Sequence, residues 1–204
     1  MNISKKSFGY IVLASVVLII TVGSLLIFLP DYRISENDAG NRILTVKKGI
    51  GHFSLEIPSG FEVSSVEIND EFVGTDVYLV GPVPIDGYRS VIAIYVDDYG
   101  DAYDALSVAK KGLTDARDYT NFQLLSDLST LTVSGITAYQ YIISYDFPEN
   151  PDIYPPPMVR EIERKTYFNH DGFLWAIGIL ADPSWEEQEM AIFDRLLETF
   201  KILN

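Results

Sequence analysis

Residues 9–29 carry no Asp, Glu, Lys or Arg, and fourteen of the side chains between Ile11 and Leu29 are Val, Ile, Leu or Phe. As a helix, about 20 residues span the roughly 30 Å hydrocarbon core of a bilayer. At roughly −0.3 to −0.6 kcal/mol for each such side chain near the centre, lipid is favoured over water by several kcal/mol. The run predicts a transmembrane helix over 9–29 and leaves any water-soluble fold to the residues that follow. Lys5 and Lys6 precede it, and positive charge beside a span stays in the cytoplasm. The expected topology is one pass of the cytoplasmic membrane, with residues 1–8 inside and the C-terminal domain outside. A cleaved signal peptide shares the basic start, but its apolar stretch is about 7–15 residues and ends at a small-x-small site. Here the run is longer and leaves through Ile27-Phe28-Leu29-Pro30-Asp31-Tyr32, so retention is expected.

Removing residues 1–30 takes away two lysines and no acid, leaving 13 Lys+Arg against 29 Asp+Glu, a net charge of −16. Such a surface repels polyphosphate, so no nucleic-acid partner is expected. It also repels anionic headgroups, so the domain is expected to stand off the bilayer. The chain has no cysteine, which rules out a disulfide framework and a lipid-modified cysteine. Residues 30–42 read as a polar tether and 43–204 as one domain, long enough for a core of its own.

Along that domain the strand signals come first. Phe53, Leu55 and Ile57 alternate with polar residues before Pro58 and Gly60; segments 61–63 and 66–68 are expected to pair with them. Val77–Val80 and Val91–Val96 flank a Pro/Gly-rich connection that reads as a broad hairpin. Ala102, Ala105, Leu106, Ala109, Leu113 and Ala116 then recur at helical steps, with small residues suited to lying close against a sheet. Gly112 in this helix weakens it by about 1 kcal/mol relative to Ala. Strands follow within 123–133 and over 138–145, then 158–168 and 173–180 around Asn169-His170-Asp171-Gly172, whose Asp-Gly pair favours a tight turn. Ser184 and Glu187 have the spacing of a capping box, and Met190, Phe193, Leu197 and Phe200 form the apolar stripe of a last helix. The order predicts an α+β domain: one antiparallel β-sheet flanked by helices.

Candidate chemistry is sparse. No nucleophile elbow, zinc-protease helix, phosphate loop or dinucleotide fingerprint occurs, so no catalytic residue and no cofactor are expected. His52 and His170 are the two histidines; a triad through His170 competes with the simpler reading of its segment as a turn. Asp97, Asp98, Asp101 and Asp104 concentrate carboxylates between a strand and a helix, as a hard cation wants, although the spacing is not that of an EF-hand. Asp101 equally suits the start of the helix. The stretch 146–157 is stiffened by prolines and offers Phe147, Ile153 and Tyr154 as apolar contacts for a partner. Arg160-Glu161-Ile162-Glu163-Arg164-Lys165 reads as an exposed edge strand, where charges block edge-to-edge aggregation.

Taken together, these features resemble the PsbP-like fold family, named for an extrinsic photosystem protein and shared with a nuclear Ran-binding factor. The resemblance is carried by Phe53-Ser54-Leu55-Glu56-Ile57-Pro58-Ser59-Gly60-Phe61, the strand 90–96 followed by a helix, Gly135-Ile136-Thr137-Ala138-Tyr139, a hairpin over 160–181, and Thr199-Phe200-Lys201-Ile202. It covers roughly residues 51–203 and implies an α/β/α sandwich, no shared catalytic residues, and a binding or assembly role, with metal binding in some members. The anchor makes the chain more similar to bacterial membrane-attached relatives than to photosynthetic ones. The expected function is a membrane-anchored, non-catalytic binding or assembly module acting on another exported or membrane protein. The alternative is a small-molecule or divalent-cation sensor.

Overall fold

Alternating apolar side chains build two antiparallel sheets, which bury their apolar faces on one another. The structure is a computed structural model that describes residues 32–47, 51–69, 74–82, 89–98, 103–148 and 158–203, without the side chains of Asn69 and Trp185. The described residues fall in one compact unit, Tyr32–Asn204. The smaller sheet contains β1 (Tyr32–Glu36), β2 (Arg42–Val46), β3 (Phe53–Glu56) and β11 (Lys201–Ile202), in that order. The larger is assembled from β4 (Glu62–Asn69), β5 (Gly74–Val80), β6 (Val91–Asp97), β7 (Gln123–Val133), β8 (Ile136–Pro148), β9 (Met158–His170) and β10 (Phe173–Ala181). Its order across the sheet is β4-β5-β6-β10-β9-β8-β7. Two helices, α1 (Ala105–Ala116) and α2 (Glu186–Thr199), complete an α+β fold.

The single expected sheet is therefore two. Segments 61–63 and 66–68 do not pair with β3; they enter β4, which pairs with β5. The reason lies at Pro58-Ser59-Gly60, where Phe61 N–H donates to the Pro58 carbonyl and the Phe61 side chain is buried. That turn moves the chain from one sheet to the other. Tyr32–Glu36, inside the expected tether, forms β1 against β2, and Asn37 closes the hairpin by accepting from the Ala39 and Asn41 N–H groups. The β5–β6 and β9–β10 pairings are those expected. At the second, Asp171 (φ 52°) and Gly172 (φ 81°) hold the paired positive φ values of a type I′ turn.

Between the sheets lies the main core, to which α2 contributes Phe193, Leu196 and Leu197. Its centre is aromatic: Trp175 stacks on Phe168 at 5.6 Å, Phe53 stacks on Phe200 at 5.3 Å, and the two pairs meet edge to face. Of the expected α2 stripe, Phe193, Leu197 and Phe200 are buried and Met190 is half-buried. Among the described residues the expected capping box of Ser184 and Glu187 does not form, the Ser184 hydroxyl being turned to Asp182. Asp182 instead accepts from the Ser184 N–H and hydroxyl, capping a 3-10 turn (Pro183–Trp185) that leads into α2.

The run 160–165 overturns its expectation most clearly. It lies in β9, an interior strand between β8 and β10, and Glu161, Glu163 and Arg164 are all buried. Most of that charge is partnered, and Glu161 takes a hydrogen bond from Tyr145. Arg164 donates to Gln140 Oε1 at 2.8 Å and to Asp194 Oδ1 at 2.6 Å, and its guanidinium lies 5.0 Å from the centre of the Phe193 ring. Lys165 pairs with Glu163 at 2.6 Å, and Arg160 with Asp146 at 3.1 Å. Among the described residues no helix is long and apolar enough to cross a membrane; the span expected over 9–29 lies outside them.

Candidate functional site

Helix α1 covers only part of the outer face of the larger sheet. Asp104 caps it, its carboxylate accepting from the N–H groups of Leu106 and Ser107 and from the Ser107 hydroxyl. Asn169, at the end of β9, accepts from Ala105 N–H at 2.6 Å and donates to the Tyr103 carbonyl. Just past the other end, Tyr119 packs on Tyr145 at 4.7 Å, and Tyr145 pairs with Glu161. The helix thus runs along β9. Ala105, Ala109, Leu113 and Ala116 seat it on Tyr141, Ile143, Tyr145, Tyr167 and Leu174, the close Ala-rich packing expected. At Gly112 an added Cβ would come within 2.9 Å of the Tyr141 hydroxyl, so the glycine sits at a point of contact between helix and sheet.

Among the described residues the sheet face beside the helix is open, forming a cleft of about 870 Å³. Cross-strand register explains it. One row across the floor reads Tyr78, Ala93, Gly178, Lys165, and the next Tyr95, Ala176, Tyr167, with Asp76 beside Tyr95 on β5 just outside the cleft lining. Small side chains on β6 and β10 make a trough between tyrosines on one side and the lysine and tyrosine of β9 on the other. Ser107, Val108, Lys111 and Asp115 of α1 form a wall.

Its charges are largely matched. Lys111 pairs with Asp115, and Lys165 with Glu163. Burial works to lower the Lys165 pKa, but the Glu163 carboxylate and the tyrosines Tyr167 and Tyr119 together outweigh it and hold the ammonium above its ordinary range. Asp97 and Asp76 differ. Burial raises both, and Asp76 is raised further by the charges of Asp97 and Glu67. The Tyr95 hydroxyl is also pushed up, by burial and by its hydrogen bond with Tyr78; the two rings meet edge to face at 5.8 Å.

Two more carboxylates share that shift. Burial raises Glu161, and it raises Glu189, whose Oε2 is buried with no hydrogen-bond partner among the described residues. An acid whose folded pKa lies above its unfolded value destabilises the fold when ionised, so stability grows as pH falls through the folded value. Asp104 and Asp146 are shifted down by hydrogen bonds and act oppositely. The melting temperature is expected to rise as pH falls from neutral towards the ordinary carboxylate range and to fall below about 4, where these last two protonate. Glu189→Gln should flatten the rise. A melting temperature that only declines on acidification from neutral would contradict the assignment.

Of the expected metal candidates, Asp97 lines the cleft and Asp104 has its carboxylate engaged as the helix cap. Asp98 ends the described part of that loop, and Asp101 lies outside the described residues. The cap is thus Asp104 rather than Asp101. No group of three or more His, Asp or Glu able to hold a metal occurs among the described residues. His170 stands at the β9–β10 turn, 3.2 Å from Asp171, while the His52 carbonyl accepts from Leu203 N–H. Phe147 is exposed at the end of β8, paired with Val159, and Ile153 and Tyr154 lie outside the described residues. Sequence reasoning missed the cleft itself; its only signal was the small residues Ala93, Ala176 and Gly178 inside strands.

No protein-family model matches the chain, and no curated protein sequence does either. Solved structures do resemble it. LpqN of Mycobacterium tuberculosis, described as involved in cell envelope biogenesis, has a TM-score of 0.53 at 13% identity over 85% of this chain and 91% of its own. The cyanobacterial PsbP of Synechocystis sp. PCC 6803 has a TM-score of 0.48 at 11% identity, covering 86% of this chain and 94% of its own. The Ran-binding protein Mog1p of Saccharomyces cerevisiae has a TM-score of 0.48 at 13% identity, covering 85% and 96%. The neighbours thus include the PsbP-like fold that the sequence resembles. The likeness to LpqN speaks for a shared fold alone.

Proposed function

We propose that this chain is a membrane-anchored, non-catalytic binding or assembly module, an α/β/α sandwich of the PsbP-like kind acting outside the cytoplasmic membrane. Residues 9–29 are its anchor, the following polar residues its tether, and the acidic domain its working part. One observation carries the binding role: the open cleft beside α1, where among the described residues no element covers an interior stretch of sheet, and aromatic and charged side chains line it. Concave surfaces of this size, mostly apolar with a few placed polar groups, are where proteins hold ligands. A fold shared with an envelope-biogenesis protein accords with a partner in the envelope. Phe147, with Ile153 and Tyr154 of the connection that follows, serves as an accessory contact.

The test is photo-crosslinking in intact cells, with the reactive side chain placed at Ser107 on the cleft wall, at Phe147, or at Arg33 on the smaller sheet as control. A discrete adduct from Ser107 and none from Arg33 is expected. Equal labelling from Ser107 and Arg33, or none from Ser107, removes the cleft as the working surface. Carbonate washing should leave the full-length chain in the membrane, and protease added outside the cytoplasmic membrane should digest the domain. A domain protected until that membrane is lysed would overturn the topology.

A further inference from the structure

We infer that the α1 cleft seats an extended, basic segment of the partner protein, with a lysine or arginine side chain lying between the Tyr78–Tyr95 pair and the carboxylates of Asp76 and Asp97. The inference rests on the binding role proposed above and names the chemistry of the segment.

Shape gives the first argument. The helix wall runs from Asp104 to Asp115, about 17 Å at 1.5 Å per residue. The floor along β6 runs from Val91 to Asp97, about 20 Å at roughly 3.3 Å per residue. Because α1 lies along β9, the trough follows the strands. Its length matches about six residues of extended chain, more than a compact small molecule fills.

Charge gives the second. Each lysine of the lining already has a carboxylate within the cleft, Lys111 with Asp115 and Lys165 with Glu163. Asp76 and Asp97 have no cationic partner among the described residues, and their pKa values are raised rather than lowered. Register places Asp76 directly opposite Tyr95, and Tyr78 one row away on the same face. Glu67 lies opposite Asp76 on β4 and adds to the negative field. A cation entering there relieves carboxylate repulsion and meets the electron-rich faces of aromatic rings. An anionic segment meets uncompensated acids. The apolar floor of Ala93 and Ala176 suits the aliphatic stem of the same side chain.

The test uses the full-length chain in uncharged detergent micelles and fluorescence anisotropy of labelled hexapeptides alternating Ala with Lys, with norleucine, or with Glu. Saturable binding of the Lys peptide is expected, weakened by salt and absent for the other two. Asp76→Asn with Asp97→Asn should weaken it about tenfold, the scale of a desolvated cation–aromatic and charge contact. Gly178→Leu, which builds up the floor, should abolish it. The two Asp→Asn changes are isosteric, so their result stands even where Gly178→Leu disturbs folding. Binding of the norleucine or Glu peptide as tight as that of the Lys peptide would overturn the inference, as would indifference to the Asp changes. Free spermine competing as well as the hexapeptide would overturn the assignment to a peptide segment. Should no peptide bind while the Ser107 crosslink persists, the binding role stands and this inference falls; loss of the Ser107 crosslink removes the role itself.

Discussion

Replacement of Arg164 by alanine is expected to destabilise the domain by about 2–4 kcal/mol, the cost of truncating a buried, hydrogen-bonded side chain and leaving a cavity behind it. Arg164 is only 6% exposed, in the middle of an interior strand. Its guanidinium satisfies Gln140 Oε1, reaches the Asp194 carboxylate and covers the Phe193 ring. Truncation leaves the half-buried Gln140 amide oxygen to the Thr166 hydroxyl and opens a cavity against α2. Had β9 been the exposed edge that its charge pattern suggests, the same change would fall within about 0.5 kcal/mol of neutral. Urea denaturation monitored by Trp175 fluorescence separates these outcomes. Arg164→Lys should recover little, because an ammonium cannot reproduce the planar fork that reaches Gln140 and Asp194 together.

Gly112→Ala carries the second large effect, and its sign is the informative part. On helix propensity alone the change gains about 1 kcal/mol. Against that, the new Cβ would stand 2.9 Å from the Tyr141 hydroxyl and 3.5 Å from that of Tyr167. Tyr141 is fully buried and hydrogen-bonded to Tyr167, so its hydroxyl cannot swing aside. The helix must lift from the sheet, and overpacking of this kind costs about 1–3 kcal/mol. The expected result is net destabilisation. In the Tyr141→Phe background the hydroxyl is gone and the nearest ring carbon, 3.8 Å away, is at ordinary contact distance; there Gly112→Ala should be neutral or stabilising. A double-mutant cycle with no coupling between the two positions would show that the close approach is not real.

Most elements could be read from the sequence because they rest on local rules. The 3.6-residue recurrence of Ala105, Ala109, Leu113 and Ala116 meets a sheet, as small side chains on one face require. Asp171-Gly172 forms its turn because only positive φ values close a two-residue hairpin with the right twist. Caps were less legible: Asp104 and Asp182 take the roles expected of Asp101 and Ser184, since several acids or hydroxyls within one turn compete for the same orphan N–H groups. The cleft could not be read at all. Ala93, Ala176 and Gly178 lie 83 and 2 residues apart in sequence and meet only because β10 pairs with β6.

The sequence by itself determined the apolar run that sets the anchor expectation, the acidity of the rest, the two helices and most strands of the larger sheet, for each follows from side chains a few residues apart. Only the tertiary structure decided that two sheets form rather than one, that β9 is interior, and that, among the described residues, α1 leaves a cleft on the face of the larger sheet. Strand pairing joins backbone groups that are alike at every residue, so local sequence states that a strand exists and not which strand lies beside it. The charges of β9 show the consequence: the same six residues suit an edge in isolation and a core once Gln140, Asp194 and Phe193 arrive from elsewhere in the chain.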